Sequence, residues 1–217
     1  MVSARDNILA RIRKNSGREG LTTGLELSQV RTHIARQERG PQPSIARDNP
    51  VARFIQESDR LKSTVAEVDR LADVPQAAAA YLKQNALESA VVGWPSLSGL
   101  DWAAAGITYE NRLACGEDMV GITDCFCGIG ETGTLLLLSS PTTPKLHALL
   151  PETHLCVLSK ARIVHTMEDA FQLVRTERGE LPRATFFVSG PSRTADIEQT
   201  IVIGAHGPYR VHIILTP

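Results

Sequence analysis

The chain has 217 residues, of which 42% are hydrophobic and 22% charged, and its formal net charge is −1. This composition is that of a globular protein with a sizeable core, and the balanced charge argues against nucleic acid or anionic lipid as a partner. No apolar run approaches the roughly 20 residues that cross a bilayer, and the first residues lack the apolar core of a signal peptide. We therefore expect a cytoplasmic protein without a membrane span.

Residues 1–49 differ in composition from the rest of the chain. Apolar residues in 1–14 have helical spacing, which predicts a short helix. The stretch that follows is polar and rich in glycine and proline, with too few apolar side chains to offset the entropy lost on ordering. A solvated, mobile arm is the favoured interpretation, and a locally basic, partner-binding arm is the alternative.

Residues 50–217 are predicted to form a single α/β domain. Apolar residues from 51 to 68 recur at helical spacing, and Pro75 can begin a second helix in its first turn. The continuous apolar run at 134–138 is typical of a strand buried on both faces, which favours a parallel sheet. Alternating strands and helices predict an open, mostly parallel sheet with flanking helices. Further strands are predicted at 89–93, 106–109, 154–158, 185–188 and 211–215, and further helices at 167–178 and roughly 194–202.

The four cysteines show no metal-binding pattern. Cys125 and Cys127 form one C-x-C pair, and Cys115 and Cys156 stand apart from it. No second pair lies at the spacing of a zinc or iron–sulfur site. We expect structural thiols and no metal, with a metal or redox contact as the alternative.

The first candidate motif is Gly-Ile-Gly-Glu-Thr-Gly-Thr at residues 128–134. Glycines let the backbone approach a ligand closely, so Gly130, Thr132 and Gly133 are predicted to frame a bound anion. Glu131 could serve there as a nucleophile or a general base. Equally, Glu131 could cap backbone amides in a tight turn.

The second motif, residues 189–198, follows a predicted strand and precedes the predicted helix. Ser192 or Thr194 would cap that helix, and the free backbone N–H groups at such a helix end bind phosphate or carboxylate. Arg193 would add a bidentate contact to the anion. The alternative is a well-capped helix in which Arg193 pairs with an acidic residue of the same helix.

The third motif is Gly-Ala-His-Gly-Pro at residues 204–208. Histidine can exchange protons at neutral pH, so His206 is a candidate general acid or base, anion partner or metal ligand. Gly207 would line the same anion site, and Asp196 would orient either His206 or Glu131. The alternative is a turn histidine that hydrogen-bonds to backbone carbonyls.

In order and spacing, these three motifs resemble those of the LUD domain family, the family of lactate-utilisation protein C (YkgG-like). The resemblance covers residues 88–217 best. It implies a fold similar to the NagB/RpiA/CoA-transferase superfold and a bacterial, cytoplasmic role in the oxidation of L-lactate to pyruvate. It further implies two iron–sulfur partner proteins, which would carry the clusters, and no cofactor on this chain.

The resemblance leaves the chemistry of the domain open. In CoA transferases of that superfold the nucleophile is the glutamate of a Glu-Asn-Gly turn, which Glu131-Thr132-Gly133 resembles except at Thr132. An acyl/CoA- or phospho-sugar-processing enzyme is therefore one alternative, and a scaffold with a vestigial cleft is another. The main hypothesis is a small anionic ligand clamped by Arg193, in a cleft lined by Glu131 and His206.

Overall fold

The computed structural model describes residues 3–17, 22–42, 49–195 and 199–217. The chain divides into two compact units, Met1–Ser44 and Ile45–Pro217. None of its described helices combines the length and the apolar character that crossing a membrane requires.

The first unit contains two helices, α1 (Ala4–Asn15) and α2 (Gly24–Arg36). Each begins with a capping box, made by Ser3 in α1 and by Thr23 in α2, in which side chain and backbone exchange hydrogen bonds. Among the described residues of the two helices, no side chain is buried. The short helix predicted over 1–14 is confirmed, and α2 lies within the stretch interpreted as a polar arm.

The second unit contains the remaining α-helices and β-strands. In chain order they are α3 (Pro50–Arg60), β1 (Thr64–Glu67), α4 (Val74–Gln84), β2 (Ala90–Gly93), β3 (Thr108–Glu110), β4 (Val120–Asp124), β5 (Cys127–Ile129), β6 (Thr134–Leu138), α5 (Leu146–Leu149), β7 (Thr153–Ser159), β8 (Ile163–Val164), α6 (Met167–Arg178), β9 (Thr185–Val188), β10 (Arg193–Thr194), β11 (Val202–Ile203) and β12 (Arg210–Thr216).

Six strands form a parallel sheet in the order β1-β12-β7-β4-β2-β3, and every neighbouring pair in it is parallel. This sheet confirms the predicted α/β class. One side of its core contains α4, whose Ala78 and Leu82 pack with Ile122 and Ile214 of the strands. Another cluster joins Phe54 of α3 to the same sheet.

The first predicted helix is shorter than its apolar spacing indicated. The Asn49 side chain accepts hydrogen bonds from the first backbone amides of α3, and Pro50 suits the first turn. The helix ends at Arg60, because Lys62 adopts a left-handed conformation with a φ of 72°. Val65, predicted to be helical, lies instead in β1 and packs in the core.

A second sheet of four strands has the order β8-β5-β6-β9. Its strand β6 is the predicted apolar run, and it is buried on both faces, but it pairs antiparallel with β5 and β9. The prediction of parallel pairing was therefore wrong for this strand. Both faces are covered because Leu135 and Leu137 pack in the cluster shared with the six-stranded sheet, whereas Leu136 packs with Val174 of α6.

The helix predicted over roughly 194–202 is wrong for the described residues. Arg193 and Thr194 form β10, which pairs antiparallel with Val202 and Ile203 of β11. The β-branched side chains of β11 favour an extended backbone. Residues 196–198 lie outside the described residues.

Candidate functional site

The second sequence motif is in direct contact with both of the others. Thr134 Oγ1 of the first motif lies 2.7 Å from Ser189 Oγ of the second. The Ser192 amide donates to the carbonyl of Pro208 at 2.9 Å, and the Gly204 amide donates to the Ser192 carbonyl at 2.9 Å, which joins the second motif to the third. We call residues 130–134, 189–194 and 204–208 the motif cluster.

The glycines of the motif cluster let α3 approach closely. Gly133 has a φ of 61°, and a Cβ at this position would lie 2.4 Å from the backbone nitrogen of Ser58. Gly190 has a φ of 82°, and its Cβ would lie 2.6 Å from the carbonyl oxygen of Leu61. The close approach for which these glycines were singled out is thus made by the carboxyl end of α3. Gly130 makes a similar contact with Pro50, at the amino end of that helix.

Glu131 is half-buried and caps α6. Its carboxylate oxygen Oε1 accepts a hydrogen bond of 2.8 Å from the backbone N–H of Met167, the first residue of α6. Its own amide donates to the carbonyl of His165 at 3.0 Å. Of the two roles that the sequence left open, the structure shows the backbone cap. A carboxylate at this place also suits the positive end of the helix dipole.

Arg193 is exposed, and its Nη2 donates a hydrogen bond of 2.6 Å to the Leu61 carbonyl. This bond uses one of the five N–H donors of the guanidinium and anchors the side chain on α3. The helix end that was predicted to complete an anion site beside Arg193 is absent, because Arg193 and Thr194 lie in β10.

The other predicted site residues lie at the edge of the motif cluster. His206 is exposed, and Gly207 faces Ser192, whose Cβ would lie 3.3 Å from a Cβ at the glycine. Thr132 Oγ1 lies 2.8 Å from Thr134 Oγ1. Asp196 lies outside the described residues. The three motifs therefore meet, while Glu131 is held on α6 and Arg193 on α3.

A separate cavity of about 1070 Å³ lies at the carboxyl ends of the central parallel strands. We call it the carboxyl-edge cavity. Of the predicted site residues that the structure describes, none lines it. Ligands of open α/β sheets bind at this edge. Its lining includes Trp94 and Ser96 after β2, Asp124 and Phe126 after β4, Ser139 and Thr143 after β6, Ser159 at the end of β7, Arg162, Glu177 and Arg178 near α6, and Thr216 and Pro217 at the end of β12.

Asp124 is the half-buried carboxylate of the carboxyl-edge cavity. Burial raises the pKa of its carboxyl, and a hydrogen bond from Ser96 partly opposes that rise. The sequence reasoning missed this residue. A signal was available, since Asp124 directly follows the apolar strand residues 120–122 and Thr123, at the point where β4 ends.

Arg162 forms a rigid wall of the same cavity. Its Nε donates to the Phe126 carbonyl at 2.7 Å, and its Nη1 and Nη2 reach the two carboxylate oxygens of Glu177 at 2.7 and 3.0 Å. The guanidinium carbon lies 4.6 Å from the centre of the Phe126 ring. Bidentate pairing and stacking together fix both side chains in place.

The four cysteines are free thiols. Burial, together with the neighbouring Cys156, raises the pKa of Cys125 well above its ordinary value, and burial raises the pKa of Cys127 to about 12. Such thiols stay protonated at neutral pH and are poor nucleophiles and metal ligands. Within the ranges that the structure describes, no three His, Cys, Asp or Glu side chains group as metal ligands would.

The open parallel sheet, its flanking helices and the second, smaller sheet define an α/β protein with sites at its strand edges. The LUD domain model matches residues 51–216, and the chain belongs to that family. A DUF162 family protein from Deinococcus radiodurans, solved by crystallography, has a similar fold, with a TM-score of 0.57 and 20% identity over 80% of this chain and 99% of that one.

Curated relatives match shorter stretches. Lactate utilization protein C of Bacillus subtilis is 32% identical over 135 residues, which cover 57% of this chain and 56% of that protein. An uncharacterized protein of Neisseria meningitidis serogroup B is 39% identical over 88 residues, covering 41% of this chain and 38% of that protein. The chain thus spans about half the length, or less, of these relatives.

Proposed function

We propose that this chain is the non-iron–sulfur component of a bacterial, cytoplasmic system that oxidises L-lactate to pyruvate. Membership of the LUD family and several relatives named lactate utilization protein C support this role. The observation that carries the proposal is that the second motif contacts both the first and the third, which brings together segments far apart in the sequence.

On this proposal the motif cluster binds a small carboxylate. Arg193 is exposed and anchored on Leu61, so its remaining N–H donors can meet an anion without reorganisation of the side chain. The hydroxyl of Ser192 and the backbone near Thr194 and Gly207 complete the contact, because consecutive side chains of a strand such as β10 point to opposite faces. His206 serves as the proton acceptor, with Asp196 as its orienting group, and Thr132 lies at the edge of the cleft. Gly130 and Gly133 pack against α3 and are left out of the contact.

The electrons leave through partner proteins. Conversion of the lactate hydroxyl carbon to the pyruvate ketone releases two electrons and two protons. The proposal assigns the electrons to the clusters of two iron–sulfur proteins of the same system. His206 takes one of the protons, and the other is released to water.

A scaffold with a vestigial cleft is the second candidate. It is favoured by the contacts of the two most reactive side chains, since Glu131 caps α6 and Arg193 bonds a backbone carbonyl. Both contacts are structural. The acyl-transfer alternative needs Glu131 as an attacking group, and its engaged Oε1 argues against that role.

The test is growth on L-lactate. The gene is deleted in the native bacterium and restored as wild type, Arg193→Ala, His206→Ala or the control Arg175→Ala, which alters an exposed arginine of α6. We expect the deletion to abolish growth on lactate and the first two variants to reduce it at least tenfold, while the control grows normally. Normal growth of the deletion strain would overturn the proposal, and normal growth of both site variants would favour the scaffold.

A further inference from the structure

The carboxyl-edge cavity is too large to be explained by lactate. Its volume of about 1070 Å³ lies just above the usual range of small-molecule and cofactor sites, which is about 300–1,000 Å³. Leu71, Leu97 and Leu138 supply apolar lining, and several serine and threonine residues line the cavity as well. A matching ligand has both an apolar, planar part and several hydroxyl groups.

Asp124 is suited to accept hydrogen bonds from neighbouring hydroxyls. Its half-buried carboxylate stands at the carboxyl end of β4, a central strand of the parallel sheet. The Ser96 side chain interacts with it, and a carboxylate has about four acceptor positions in all. An acidic side chain at the end of a parallel strand is the group that holds the hydroxyls of a ribose in dinucleotide sites.

Phe126 and Arg162 offer a flat surface beside Asp124. The guanidinium of Arg162 is stacked on the Phe126 ring and is held in plane by Glu177. Aromatic rings and guanidinium planes are the surfaces on which nucleobases stack. The Cα atoms of Asp124 and Phe126 are two residues apart and therefore within about 7 Å, a distance comparable with that between the ribose hydroxyls and the base of a nucleoside.

Arg178 supplies positive charge at the rim. It is exposed, lines the cavity, and lies 5.9 Å from the centre of the Phe126 ring. By contrast, the charge of Arg162 is neutralised by Glu177. A phosphate on the ligand would therefore find its cation at the cavity mouth.

We propose that the carboxyl-edge cavity binds a ribonucleoside-type ligand, with its ribose hydroxyls on Asp124 and its base on the Phe126–Arg162 surface. A 5′-phosphate, where present, contacts Arg178. This site is separate from the motif cluster, and its existence does not depend on the proposed role in lactate oxidation.

The test is isothermal titration of the purified 217-residue chain with adenosine, guanosine, cytidine and uridine. The tightest binder is then compared with its 2′,3′-dideoxy analogue, with free ribose and with its 5′-monophosphate. The variants are Asp124→Asn, which keeps the shape of the side chain, and Phe126→Leu. Asp59→Asn, at an exposed aspartate of α3, is the matched control, and circular dichroism verifies the fold of each protein.

We expect at least one ribonucleoside to bind and its dideoxy analogue to bind at least tenfold more weakly. Asp124→Asn should remove that difference in affinity, and Phe126→Leu should weaken the binding of both ligands severalfold. Asp59→Asn should change the affinity for neither ligand. Absence of binding by all four nucleosides at millimolar concentration would overturn the proposal. So would equal binding of free ribose, or full binding by folded Asp124→Asn. Growth on lactate does not enter this test, so its outcome is distinguishable from that of the proposed function.

Discussion

At the scale of single residues, two glycines with left-handed backbone conformations distinguish the energetic cost of backbone strain from that of a steric clash. Gly133 and Gly106 have φ values of 61° and 71°, but a Cβ at Gly133 would lie 2.4 Å from the Ser58 nitrogen, whereas nothing lies within 4 Å at Gly106. Gly106→Ala is expected to cost about 1 kcal/mol of unfolding free energy, from φ alone. Gly133→Ala must also displace α3 and should cost about 3 kcal/mol or more.

Urea unfolding of both alanine variants measures this difference directly. The Gly106 variant is the internal control, because it carries the same conformational strain without the steric contact. Equal losses in the two variants would mean that α3 does not pack on Gly133 as described.

The carboxylate of Glu131 contributes to stability through α6. Glu131→Ala removes the acceptor of the Met167 amide and should lower the free energy of unfolding by about 1 kcal/mol, the usual value of a helix cap. Glu131→Gln keeps an acceptor oxygen but loses the charge near the helix dipole, so its loss should be about half as large. Chemical denaturation of the two Glu131 variants checks the order of their stabilities. Glu117→Ala, at an exposed site, is the control. A glutamine variant no more stable than the alanine variant would contradict the cap.

At the scale of elements, the sequence predicted those whose signals are local. The helix over 167–178 was correct to the residue, because Thr166 and Asp169 form a capping box and Gly179 ends the helix. β1 was missed because Val65 continues the helical spacing of α3, and only its pairing with β12 makes it a strand. The spacing of apolar residues within one segment gives no information about a pairing strand that lies far along the chain.

The candidate sites, like the helices and strands, could be predicted from the sequence only where their signals are local. The order of the motifs indicated that they belong together, but their packing on α3 joins residues as distant as Arg193 and Leu61. The carboxyl-edge cavity is formed by the ends of strands whose order in the sheet differs from their order in the chain. A single strand end such as Asp124 therefore gives little indication of the site before the sheet is assembled.

Two buried histidines, one on each of the neighbouring strands β7 and β12, make the free energy of unfolding depend on pH. Burial lowers the pKa of His154 to about 3 and that of His212 to about 4, from an ordinary value of 6.5. Because the unfolded chain binds these two protons at a higher pH than the folded chain does, stability falls as the pH drops from 6.5 towards 4. The raised pKa of Asp124 acts in the opposite sense and offsets part of the fall.

The expected loss between pH 7 and pH 5.5 is about 2 kcal/mol for the two histidines together. Urea unfolding across this range measures it. His33→Gln, at an exposed histidine of α2, should leave the slope unchanged. A stability that does not vary between pH 7 and pH 5.5 would show that the two imidazoles are not held neutral by burial.

At the scale of the whole molecule, the second unit has two chemically different edges. Residues 204–208 lead into the amino end of β12, which places the motif cluster at the amino edge of the six-stranded sheet. The carboxyl-edge cavity opens at the other ends of the same strands. Two ligands could therefore be bound at once without competing for residues, and the rigid strands between them would join the sites.

The distribution of buried hydrophobic residues predicts that the second unit folds without the first. The buried hydrophobic residues of the described chain run from Phe54 to Leu215, and the helices of the first unit have no buried side chain among their described residues. A chain that begins at residue 45 therefore keeps the core, and its free energy of unfolding should match that of the full chain within about 1 kcal/mol. Parallel urea denaturation of the two chains makes the measurement. A matched truncation that begins at residue 62 removes α3 and the Phe54 contacts, and it should not fold cooperatively. If the chain from residue 45 were unfolded, the first unit would have to supply part of the core.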